Sequence, residues 1–150
     1  MVQTPLRVLL VEDDPTVCRA AERYLSHRGH ELIAVAGTCR HALADVRTFD
    51  CVLMDVDLPD GNGVDVARQL LERGTTNVVV FFSGTQDQDI RLAASELGTF
   101  VAKEAGLHAL VKAMETAVVE VNEQALAANG DPVSSRDSEP RLQSGFRRTR

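Results

Sequence analysis

An α/β fold built on a doubly wound, five-stranded parallel sheet is what the sequence predicts, and two observations predict it. Five short apolar runs recur along the chain: Val8–Val11, Leu32–Ala36, Cys51–Met54, Val78–Phe82 and Phe100–Ala102. Several are rich in β-branched residues and apolar at successive positions, the pattern of strands buried on both faces. Between them lie segments whose apolar residues return with the helical period. Strand and helix alternate five times, which implies a parallel sheet covered by helices on both faces.

The elements follow in order. Behind the first run, Val17, Ala20, Ala21, Tyr24 and Leu25 share one helical face. The second run precedes a weaker helical segment from about Thr38 to Arg47, with Thr38 placed to accept a first-turn N–H as N-cap. After the third run come Val66, Ala67, Leu70 and Leu71, and after the fourth Ile90, Ala93, Ala94 and Leu97. Leu107, Leu110, Val111, Met114, Val118 and Val121 form the last apolar stripe. Aromatic residues make up only 4% of the chain, so the core is expected to be aliphatic. Composition shifts after Asn122, and the final stretch is rich in Ser, Arg, Asp, Gly and Pro. It lacks the apolar surface needed to offset its ordering entropy. One domain over residues 1–122 and a disordered tail over 123–150 are therefore expected.

Lys and Arg number 16 against 22 Asp and Glu, a net charge of −6 that argues against nucleic-acid binding by the domain as a whole. No apolar run is long enough to span a bilayer. The segment Met1–Pro5 has no charged region leading into a hydrophobic one, so no secretion signal is expected. Cys18, Cys39 and Cys51 are odd in number and widely spaced, unlike zinc ligands, and read as free thiols in a reducing cytoplasm. His27, His30, His41 and His108 form no metal or triad pattern and read as surface residues.

In an open parallel sheet, sites form at the carboxyl ends of the strands. The first run ends in Glu12-Asp13-Asp14, the third in Asp55, the fourth in Ser83-Gly84-Thr85 and the fifth in Lys103. One crevice then collects several acids, a hydroxyl and an amine. Packed carboxylates repel one another unless a cation intervenes, and magnesium suits one or two carboxylates plus phosphate oxygen. A carboxylate beside magnesium can attack a phosphoryl group, with a lysine and a hydroxyl stabilising the phosphoryl oxygens. Phosphoryl transfer to an aspartate is the chemistry this set suggests.

Val11-Glu12-Asp13-Asp14-Pro15, Leu53-Met54-Asp55-Val56-Asp57-Leu58-Pro59-Asp60-Gly61-Asn62-Gly63, Phe81-Phe82-Ser83-Gly84 and Phe100-Val101-Ala102-Lys103 stand in the order and spacing of receiver-domain motifs. Over about residues 6–122 the chain resembles a stand-alone, CheY-like response-regulator receiver domain. The resemblance implies a (βα)5 flavodoxin-like fold with strand order 2-1-3-4-5. It implies that Glu12 and Asp13 hold Mg2+, that Asp55 is the phosphoacceptor and a metal ligand, and that the Asp57 carbonyl completes the metal site. Pro59 and Gly63 match the residues that shape the loop after the third strand. Ser83 matches the hydroxyl that moves to the phosphoryl group, Gly84 the small residue beside it, Lys103 the lysine and Phe100 the aromatic switch. The implied partners are a sensor histidine kinase or phosphotransfer protein upstream, and a protein target contacting the fourth helix, fifth strand and fifth helix, roughly residues 90–118. An acidic partner for the arginines of the tail, Arg136, Arg141, Arg147, Arg148 and Arg150, is the alternative.

Two positions depart from the family pattern. Glu104 replaces the proline that usually follows the lysine, and without it a trans Lys103–Glu104 bond is expected, because cis costs about 3–4 kcal/mol. Phe100 lacks the hydroxyl of the commoner tyrosine. Asp14 and Asp60 read as turn or cap residues, while the side chains of Thr85 and Asp57 either face a hydrolytic water or are solvated. Asp55-Val56-Asp57 also matches the acid pair of haloacid-dehalogenase phosphatases, which carry it after the first strand and need a larger cap. A receiver that binds partners without phosphorylation is the other rival, against which Asp13, Asp55, Ser83 and Lys103 stand intact.

Overall fold

A computed structural model gives the structure of the protein, describing residues 4–128. Strands β1 (Arg7–Val11), β2 (Glu31–Ala36), β3 (Cys51–Met54), β4 (Val79–Ser83) and β5 (Thr99–Ala102) form one sheet. Every pair in it is parallel, and the order is β2-β1-β3-β4-β5. The connecting helices are α1 (Pro15–His27), α2 (Cys39–Ala44), α3 (Gly63–Glu72), α4 (Gln88–Leu97) and α5 (Gly106–Ala128). This is the five-stranded doubly wound arrangement expected from the apolar runs. A small antiparallel hairpin, Asp57–Leu58 against Gly61–Asn62, follows β3.

Burial explains why unbroken apolar runs became strands. All of β3 and β4 is buried, as is β1 after Arg7. Side chains alternate between the two faces of a strand. Leu9, Val11, Val52, Met54, Val79 and Phe81 join one cluster with Ala42 of α2, Ala67 and Leu70 of α3 and Ala94 of α4. The alternate residues Val8, Leu10, Leu53 and Val80 are buried as well. With only one of its faces solvated, an alternating apolar–polar pattern would have served; burial on both requires the continuous one.

Two element ends differ from expectation. The second helix stops at Ala44 rather than near Arg47, because Asp45 turns extended. Its carboxylate accepts the backbone N–H of Arg47 at 3.0 Å, a local turn that competes with helix. Arg73 then donates to the carbonyls of Leu43 and Asp45 at 2.7 and 3.0 Å. At the other end, α5 continues to Ala128, past the boundary set at residue 122. Residues 123–128, Glu-Gln-Ala-Leu-Ala-Ala, are strong helix formers. The described chain divides at Val118, and residues 119–128 form a helical stretch considered by itself. The rest of the expected tail, with its arginines, lies outside the described residues. No described helix is long and apolar enough to cross a membrane.

His30 is buried, not a surface residue: only 5% of it is exposed. Its Nδ1 accepts the backbone N–H of Leu6 at 3.1 Å, so Nε2 carries the proton and donates to Glu115 Oε2 at 2.7 Å. The same carboxylate takes two N–H donors of Arg28, at 3.2 and 2.6 Å. A buried histidine must satisfy both ring nitrogens, and here Leu6, just before β1, and Glu115 of α5 supply the partners.

Burial pushes the Glu115 carboxyl up, but Arg28 and His30 outweigh it and hold it below the usual carboxylate range. A depressed folded-state value stabilises the protein above the ordinary carboxylate range and loses that stability as pH falls through the folded value. Glu115→Ala is expected to cost about 2–3 kcal/mol near neutral pH, because it strands the buried His30 N–H. Arg28 is partly solvated, so its share is small. Chemical denaturation of wild type and variant should show this gap at pH 7 and a narrower gap below about pH 4. A gap independent of pH would contradict the assignment.

Candidate functional site

The register of the sheet sets the site. Val11 pairs with Ala36 and Met54, Met54 with Phe81, and Phe81 with Phe100. The strands therefore finish nearly level. The ladder runs one residue further on two of them: Glu12 N–H donates to the Ala36 carbonyl and Asp55 N–H to the Val11 carbonyl, each at 2.9 Å. Both carboxylates are thus fixed from the backbone at neighbouring strand ends.

Glu12 and Asp55 are 2% and 6% exposed, while Asp13 faces solvent. One carboxylate oxygen from each of the three lies within 4.8 Å of the others. Lys103 Nζ sits 3.0 Å from Glu12 Oε1 and 3.3 Å from Asp55 Oδ2. Glu12 Oε2 also accepts the Asp14 N–H at 3.1 Å. Burial raises the Glu12 carboxyl above its ordinary value and the Asp55 charge adds to this, against the opposing pull of Lys103. Burial lowers the Lys103 ammonium, yet Glu12 and Asp55 more than offset it and leave it raised. The donor set is all oxygen and anionic, which fits a hard divalent cation rather than zinc or copper.

The loop after β3 is held close by Gly63. A Cβ there would fall on the Asp55 carbonyl oxygen, so a side chain at this position must move the Asp55 backbone. Gly63 N–H donates to the Val56 carbonyl at 2.7 Å. Asp57 opens the hairpin, and its N–H reaches Asp55 Oδ1 at 3.3 Å. Asp60 accepts the N–H groups of Cys39 and Arg40 at 2.7 and 3.0 Å, and Asp14 accepts that of Thr16 at 2.9 Å. Both acids are therefore caps, of α2 and α1, as the turn-and-cap reading expects.

Ser83 is fully buried at the end of β4, and its Oγ accepts the Thr85 N–H at 3.1 Å. Gly84 is exposed, and a Cβ on it would meet nothing within 4 Å, so the space beside Ser83 is open. Phe100 is half-buried against the core cluster. Lys103 opens a single 3-10 turn, Lys103–Ala105. No described peptide bond is cis, so Lys103–Glu104 is trans as expected without proline.

Of the residues named from sequence, Glu12, Asp13, Asp55 and Lys103 meet directly. Ser83 and Gly84 end the adjoining strand β4, Asp57 leads out of the acid cluster, and Phe100 lies on β5. Sequence reasoning missed Arg91, whose Nε–H donates to the Thr85 carbonyl at 2.9 Å and whose guanidinium lies 5.0 Å over the Phe100 ring. A basic residue on the α4 stripe between Ile90 and Ala94 was the available signal, and nothing local marked its partners.

Comparison with known proteins agrees with this geometry. The transcriptional regulatory protein PdtaR of Mycobacterium tuberculosis is 30% identical over 118 residues, covering 76% of this chain and 57% of that protein. The TorCAD operon transcriptional regulatory protein TorR of Escherichia coli is 28% identical over 110 residues, covering 71% of this chain and 47% of that protein. The chain thus spans about half the length of these curated relatives. The solved structure of a CheY-like response regulator receiver domain protein from Methanospirillum hungatei matches with a TM-score of 0.73. It covers 81% of this chain and 99% of that one at 19% identity, a likeness of fold alone. The family described as the response regulator receiver domain matches residues 8–115, well over half of the sequence. The chain therefore belongs to the response regulator receiver domain family, the phosphorylation-dependent signalling switch of two-component systems.

Proposed function

We propose that Asp55 is the phosphoacceptor of this receiver and that the domain catalyses its own phosphorylation and dephosphorylation with magnesium. The observation that carries this is the placement of one buried carboxylate, Asp55, between the Lys103 ammonium and the Glu12 and Asp13 acids. Glu12, Asp13, Asp55 and the Asp57 carbonyl would hold the ion. When bound, magnesium neutralises the acids and the charge on the phosphoryl oxygens. An Asp55 oxygen attacks phosphorus; the P–O bond forms as the donor's phosphorus–nitrogen bond breaks, with that electron pair leaving on the donor imidazole. Lys103, the Ser83 hydroxyl and the Gly84 N–H stabilise the three transferred oxygens. Water later attacks phosphorus, the bond between phosphorus and the Asp55 oxygen breaks, and inorganic phosphate leaves with the free carboxylate restored.

The donor on this reading is a sensor histidine kinase or a phosphotransfer protein, in the cytoplasm. The output is a protein–protein contact through the face of α4, β5 and α5, residues 90–118, with no direct nucleic-acid contact. Ser83, at the end of β4, and Phe100, on β5, border this face, which supports it as the route by which a change at the site is read.

Intact-mass measurement after incubation with a small phosphodonor and magnesium is expected to show one added phosphoryl group on wild type and none on Asp55→Asn. An equal gain in the variant would contradict the assignment. For the metal, Asp13→Ala is expected to weaken magnesium binding by about tenfold or more, since it removes one full charge from the cluster. Equal affinities in a magnesium titration would place the ion elsewhere.

A further inference from the structure

We propose that Arg91 is a positioning residue that ties the loop after β4 to the Phe100 ring and holds the phosphate-free arrangement. The proposal rests on Asp55 being the phosphoacceptor.

Two independent contacts converge on this one side chain. Its Nε–H donates to the Thr85 carbonyl at 2.9 Å, and its guanidinium lies 5.0 Å from the centre of the Phe100 ring. The N–H of the same Thr85 is donated to Ser83 Oγ at 3.1 Å. Thr85 is therefore fastened at its N–H by Ser83 and at its carbonyl by Arg91. A continuous path of short contacts runs from Ser83, through one residue and one guanidinium, to the aromatic ring on β5. Each link is directional: the hydrogen bonds weaken steeply with angle, and the cation–ring attraction requires the guanidinium over the ring face. Arg91 is half-buried, so both contacts are partly shielded from water.

The coupling follows from what a phosphoryl group adds. On Asp55 it brings three acceptor oxygens to the end of β3, beside β4. Ser83 serves one of them by turning its hydroxyl toward Asp55, which draws Oγ away from the Thr85 N–H. Thr85 then shifts, its carbonyl leaves Arg91, and the guanidinium no longer covers Phe100. The open space at Gly84 lets the loop move without a clash. A ligand shifts such an equilibrium only by its differential affinity for the two arrangements. Arg91 adds stability to the phosphate-free one alone, so it opposes activation and sets how much phosphoryl binding must overcome.

The test has two parts. Without any phosphoryl mimic, Phe100→Leu is introduced into wild-type and Arg91→Ala backgrounds, and amide shifts of Gly84 and Thr85 are recorded. The proposal expects Phe100→Leu to move both signals in the wild-type background and leave them still in the Arg91→Ala background. Equal movement in both, or none in either, overturns it whatever the phosphoacceptor. Affinity for beryllium fluoride with magnesium is then measured. Arg91→Ala is expected to bind about five- to tenfold tighter than wild type, the size of one such latch. Arg91→Lys, which keeps the cation but not the planar fork, is expected between the two. Unchanged or weaker binding by Arg91→Ala overturns the proposal. If the amide linkage is present but wild type itself binds no beryllium fluoride, the phosphoacceptor reading fails, and Arg91's part in the switch fails with it.

Discussion

The ammonium of Lys103 stands 3.0 Å from Glu12 and 3.3 Å from Asp55, and the charge balance at the strand ends depends on that bridge. The parallel register brings two buried acids to adjacent positions whether or not their charges agree. Burial and mutual repulsion both raise the Glu12 carboxyl, and one cation from β5 offsets part of the cost. The lysine directly follows the edge strand β5, which β3 and β4 separate from β1. Its long side chain is what lets a fifth strand act on the first and third. On the proposed function, a small divalent ion at the same acids would compete with this lysine for their charge and would free it to meet phosphoryl oxygens.

Most of the fold was legible because periodicity reports burial. The runs at Val8–Val11, Cys51–Met54 and Val78–Phe82 read as strands buried on both faces, and the structure buries them on both faces. Once the sheet is parallel, the residue after each run is near a site by construction, so Glu12, Asp55, Ser83 and Lys103 were legible with the strands. What was not legible depends on partners distant in the chain. Nothing beside His30 in sequence announces Glu115, 85 residues away, as its partner. Arg91 likewise has the sequence signature of a solvated helix residue, and its meaning comes from Thr85 and Phe100. The end of α2 was missed for a local reason, the Asp45 side chain claiming the Arg47 N–H. The end of α5 was missed because the composition of the later tail outweighed six good helix formers.

The two departures from the family pattern have structural answers. Without proline after Lys103, the chain enters a short 3-10 turn through a trans bond, and Gly106 at φ +90° redirects it into α5. Lys103 still reaches both acids, so the bridge does not depend on proline. Phe100 has no hydroxyl to hydrogen-bond outward, and the guanidinium of Arg91 lies over its face instead. The aromatic position is thus held by a cation–ring contact, a bond type that responds to movement of the cation's other anchor.

If Lys103 is the cation that holds the acid cluster in the absence of metal, replacing it should expose the cluster to magnesium. The direct measurement is thermal stability of wild type and Lys103→Met across a magnesium titration, since a ligand of the folded state raises the melting temperature by mass action. The account predicts a variant less stable than wild type without magnesium, with a midpoint of magnesium stabilisation lower by about tenfold. Identical magnesium midpoints, with no loss of stability in the metal-free variant, would contradict it.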